Sequence, residues 1–181
     1  MHVGDAMLLK LRPVLLALLL VCSTVGTVAT TELSPETEQQ TSARSTACSG
    51  DVCMNEALPN PNGYDDAAWP NGEWLEIYNS GNTTVDVLGW YFTNKASKIM
   101  YFNETTIVDY DANNASSWEI EPNEYMVIAR NALASSVFYV ANTDDIITLY
   151  NDAGASLDQA TWTFSSGAPS GVSLEEDAAS A

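Results

Sequence analysis

From residue 51 onward the chain is a series of short runs in which apolar and polar positions alternate. In 73–79, Leu75 and Ile77 fall on one side while Trp74, Glu76 and Tyr78 fall on the other; in 84–93, Val85 and Val87 flank Asp86. A period of two marks strands that turn one face toward a core. The pattern predicts strands at 52–58, 73–79, 84–93, 98–102, 117–120, 124–130, 145–151 and 156–164, separated by clusters of Asn, Asp, Gly, Pro and Ser. Tyr150-Asn-Asp-Ala-Gly154 joins two of these runs and reads as a hairpin turn. The one helical candidate, 132–139, is too brief to change the class. Short strands at regular spacing predict an all-β sandwich or barrel.

The first residues follow a different logic. Lys10 and Arg12 precede an apolar run that fades into small residues near Ala29, the form of a secretory signal peptide. The same stretch, 13–29, sits at the short end of the roughly 17–25 residues that span a membrane, so an uncleaved membrane anchor is the alternative. Either way the remainder is expected outside the cytoplasm, secreted or held at the cell surface. Residues 30–47 are rich in Thr, Ser, Glu and Gln, with Leu33 as the only large aliphatic. Such a segment buries too little to offset its ordering entropy and is expected to be a disordered linker. The β-domain then occupies 48–181.

Composition narrows the function. The chain carries six basic and 24 acidic residues, a net charge of −18. Loss of 1–29 would remove His2, the only histidine, and leave Arg44, Lys95, Lys98 and Arg130 as the basic residues. Nothing supplies the positive stripe that nucleic acid demands, and an anionic membrane would repel the domain. Membrane contact is expected only through the N-terminal segment. Histidine-dependent triads and metal sites leave with His2. Cys48 and Cys53 are an isolated pair, most simply a disulfide in an oxidising compartment.

At this point the residues resemble a known family. Met54, Asn55 and Glu56, the Asn60-Pro61 turn, the Glu73–Asn79 run and Val85, Val87, Leu88, Gly89 and Trp90 are similar to the lamin tail domain pattern. "IEPNEYMVIAR", "DIITLYNDAGASLDQATW" and "GVSLE" are similar to later segments of the same family. The resemblance implies an immunoglobulin-like β-sandwich, with Asn55, Glu56, Glu73, Glu76, Asn79, Gly89 and Trp90 mainly holding the fold. It also implies a surface adhesion or interaction module whose partner is a protein or glycan. The family would usually supply another strand beyond the end of this chain.

The remaining candidates are weaker. Glu73 and Glu76 fall on opposite faces of one strand, so they cannot share a substrate; Glu56 with Glu76 could, although nothing in the sequence supports it. A carboxylate hydrolase is therefore the third reading, behind a non-catalytic module and a calcium-dependent one. For calcium, Asn60, Asn62, Asp65 and Asp66 concentrate oxygen ligands around a glycine, although the same residue types simply make turns. Apart from calcium, no cofactor is expected. Trp69 and Trp118 lie in polar loops and are the aromatic residues expected at a binding surface. Asn82, Asn103 and Asn114 begin Asn-x-Ser/Thr sites in turns or loops.

Overall fold

The computed structural model describes residues 41–44, 48–113 and 115–175, all within the unit Thr37–Ala181. The expected leader and most of the linker lie outside the described residues. Eleven strands are present among the described residues: β1 (Thr41–Arg44), β2 (Val52–Leu58), β3 (Trp74–Asn79), β4 (Val85–Asp86), β5 (Tyr91–Thr93), β6 (Ile99–Tyr101), β7 (Glu119–Ile120), β8 (Tyr125–Ala129), β9 (Asp144–Tyr150), β10 (Ser156–Thr163) and β11 (Leu174–Glu175). A five-stranded sheet runs β1-β10-β9-β5-β6 and a four-stranded sheet β11-β2-β3-β8, with β4 and β7 forming a short ribbon. All pairings are antiparallel.

The core follows from the alternation. Met54, Leu75, Ile77 and Ile128 from the four-stranded sheet meet Phe92, Ile147, Leu149 and Trp162 from the five-stranded sheet in one cluster. Side chains from the inner faces of two sheets bury together, which is how a sandwich hides its apolar surface.

Four expectations are corrected. The predicted strand at 84–93 is two strands in different sheets. Gly89 holds φ +81 between them, a left-handed turn that glycine adopts without steric cost, and Val87 and Trp90 are buried on either side of it. The predicted helix at 132–139 is a set of turns instead. Asn131 and Ala132 both hold positive φ, and the Ala132 amide donates to the Asp66 carbonyl rather than to a helical partner. Residues 115–118 form a 3₁₀ turn, so the strand expected at 117–120 shrinks to β7. Finally, Thr41–Arg44, inside the segment expected to be disordered, is an edge strand paired with β10.

Candidate functional site

The acids divide by strand parity. Glu73, just before β3, turns inward, whereas Glu76 lies on the outer face with Trp74 and Tyr78. One Glu73 oxygen accepts hydrogen bonds from the Arg130 guanidinium at 2.7 Å and from the Val140 amide at 2.9 Å. Both side chains of the pair are 1% exposed. Burial pushes the Glu73 carboxyl up to about 7 despite these partners. Arg130 also donates to the Leu133 carbonyl and the Ser135 hydroxyl, while its Nε–H has no partner.

Two more carboxylates are buried and accept backbone amides. Asp145 accepts the amides of Lys95, Ile146 and Ala141, and desolvation raises its pKa. Asp158 accepts the amides of Met54 and Gln159, the first of them from the opposite sheet. Thus acids that composition reads as solvated surface act as interior staples. The signal available in sequence was their place at inward-facing strand positions.

Asn79 is fully buried. Its amide donates to the carbonyls of Thr83 and Ile120 and its oxygen accepts from the Gly81 amide, fixing the turn after β3 to β7. Cys48 and Cys53 form a disulfide. With Asp158 they are the only group of three ligand-type acids, thiols or imidazoles brought together among the described residues, but the disulfide consumes both thiols.

The four residues offered to calcium have separate surroundings. The Asn60 amide donates to the Ala168 carbonyl and the Asn62 oxygen accepts from the Ser170 hydroxyl. Asp65 and Asp66 are exposed. Of the three sequons, Asn82 is exposed. Asn103 is folded into its own turn, its oxygen accepting from the amide and hydroxyl of Thr105. Asn114 lies outside the described residues.

The outer face of the four-stranded sheet carries the aromatic surface. Trp69 is 38% exposed and packs edge-on against Trp74, with ring centroids 5.5 Å apart. Tyr125, 57% exposed, lies against Tyr78 at 4.6 Å. Between these pairs an open groove is lined by Trp69, Val108, Asp109, Ser117, Tyr125 and Val127. Gly72 helps set Trp69: a Cβ there would stand 2.1 Å from the Ala67 carbonyl oxygen, so a larger residue would force the loop apart. The Trp69 amide is held in turn by the Asn131 side chain. Trp118, expected at the surface beside Trp69, instead is half-buried against Tyr110 and the core. Its loop is polar, but the ring is large enough to reach inward.

The same face carries three glutamates in register. Glu76 of β3 stands opposite Glu56 of β2, and Glu56 opposite Glu175 of β11. A bulge between Met54 and Glu56 brings Asn55 alongside as well, where its amide donates to Glu76 at 2.7 Å. The Glu76 carboxyl is raised, chiefly by burial and further by the charge of Glu56.

These two sheets, with their motif residues at β2, β3 and the turn into β5, define an immunoglobulin-like sandwich. The family model described as Lamin Tail Domain matches residues 45–164, and the chain belongs to that family. No curated protein matches the chain. The matched range ends after β10, so the pairing of β11 with β2 lies beyond it.

Proposed function

We propose that this is a non-catalytic protein-binding module of the lamin tail type, working outside the cytoplasm and meeting its partner at the groove beside Trp69 and Tyr125. The observation that carries the reading is the exposure of those two rings on one sheet face, next to Val108 and Val127. A second aromatic cluster, Tyr91, Tyr101 and Tyr150, stands on the five-stranded sheet, but Trp69 and Tyr125 line a groove, and aromatic side chains at a concave surface are the usual anchors of protein interfaces. A protein suits the groove better than a sugar. Trp69 meets Trp74 at 74° and Tyr125 leans on Tyr78, so the rings cover one another rather than offering a flat stacking platform. The leader-like start and the disulfide support an extracytoplasmic location.

The test pairs location with binding. Full chain expressed in its host should be labelled by a membrane-impermeant biotin reagent, and should capture from the envelope fraction a protein that the Trp69→Ala/Tyr125→Ala variant does not. Equal capture by a variant that still melts cooperatively would overturn the assignment of the groove. Binding to an array of glycans but to no protein would replace the partner class.

A further inference from the structure

Resting on that binding reading, we infer that the partner presents a cationic extended segment, which lays apolar side chains in the Trp69–Tyr125 groove and sets Lys or Arg against the Glu56–Glu76–Glu175 row. The row and the groove share one face: Glu76 lies between Trp74 and Tyr78 on β3, and Val127 beside it lines the groove. Three like charges directly across adjacent strands work against the sheet that carries them. A local rule broken without internal compensation is characteristic of a surface shaped by something outside the fold.

No cation among the described side chains answers the row. Lys95 pairs with Asp144, Lys98 donates to the Ser136 carbonyl, and Arg130 is buried against Glu73. Among the described side chains the row's hydrogen-bond donor is the uncharged Asn55. Charge selects the occupant. A second copy would bring acid to acid in a chain of net charge −18, and phosphate-bearing partners would be repelled. A basic peptide gains where these lose, because the planar guanidinium fork pairs with carboxylates.

The probe is a six-residue Arg-Gly repeat peptide, titrated into isotope-labelled full chain, with a Gln-Gly repeat as the neutral comparison. Amide shifts are expected to concentrate on β2, β3 and β8 and to weaken with salt. Glu56→Gln/Glu76→Gln should reduce affinity tenfold or more. Glu104→Gln/Asp152→Asn removes as much charge from exposed turns and should change it less than twofold. Shifts scattered over the acidic loops, or equal losses in both double variants, would overturn the inference as mere attraction to net charge. Equal binding of the Gln-Gly peptide at this face would overturn the cationic requirement while leaving the groove as a binding surface. Silence of both peptides on this face, with capture unaffected by Trp69→Ala/Tyr125→Ala, would remove the inference and the underlying reading together.

Discussion

Arg130 reaches across from the end of β8 to Glu73 and bonds its carboxylate at 2.7 Å, with both side chains sealed from solvent. Taking two charges out of water is costly, and their attraction repays it only while both partners remain. Arg130→Met at pH above 7 should therefore destabilise the domain by about 3–5 kcal/mol, since it also strands the Leu133 carbonyl and the Ser135 hydroxyl. Urea unfolding measures this. The double variant Glu73→Met/Arg130→Met should recover a substantial part, and a double variant no better than Arg130→Met would show that the pair is not the unit that matters.

The same burial gives a pH signature. The Glu73 carboxyl rises from 4.5 to about 7 in the folded chain, so the native state holds its proton more tightly than the unfolded state. Its contribution is fully present below 4.5 and is lost as pH rises toward 7. Glu73→Gln removes this titration. The stability difference between variant and parent should then shift in favour of the variant by up to about 1.4 kcal/mol per pH unit within that window, and level off above it. A difference independent of pH would mean that Glu73 does not titrate there.

Asn79 offers a test of the turn after β3. Asn79→Asp keeps the acceptor for the Gly81 amide but loses both donors, facing a carboxylate toward the Thr83 and Ile120 carbonyls. A buried acceptor left without its donor costs roughly 1–3 kcal/mol, and more when charged. We expect a loss of about 3 kcal/mol at neutral pH that shrinks in mild acid, where the new carboxyl regains a proton to donate. Denaturant midpoints at two pH values decide it.

Calcium is expected to leave the melting temperature nearly unchanged. Asn60 and Asn62 are engaged with Ala168 and Ser170, while Asp65 and Asp66 face solvent. Saturating a real site a hundredfold above its dissociation constant would stabilise the fold by about 2.7 kcal/mol. An upward shift of that size in millimolar calcium, reversed by chelator, would mean the loop rearranges to bind.

Strand parity carried much of the fold into the sequence. Alternation in 73–79 places Leu75 and Ile77 inside and Trp74, Glu76 and Tyr78 outside, and the structure has them so. Parity also separates Glu73 from Glu76. What it cannot supply is the partner of each: Arg130 is 57 residues from Glu73, and only the β3–β8 register together with the folded-back 131–140 segment brings them together. The strand expected at 84–93 shows the same limit, because its apolar alternation continues through a glycine turn that moves the chain to another sheet. Local polarity misplaced Trp118 for a related reason, since a polar loop says nothing of what lies beneath it. The glutamate row required two registers and one bulge, none of them visible in a linear pattern.

That row also makes a prediction with an unusual sign. Glu56 stands directly opposite Glu76 on one side and Glu175 on the other, and like charges across a strand pair repel. Glu56→Gln keeps the shape of the side chain and removes the central charge. It should raise stability by roughly 0.2–1 kcal/mol at low ionic strength, and the gain should fade as salt screens the outer face. Urea midpoints at low salt and at about 1 M salt, where screening acts within roughly 3 Å, give the comparison. A gain that fades with salt would mean the sheet tolerates a repulsion its own side chains could have removed, as a surface that awaits an external cation would. A loss of stability would instead make Glu56 part of the scaffold and take away the energetic premise for a cationic partner.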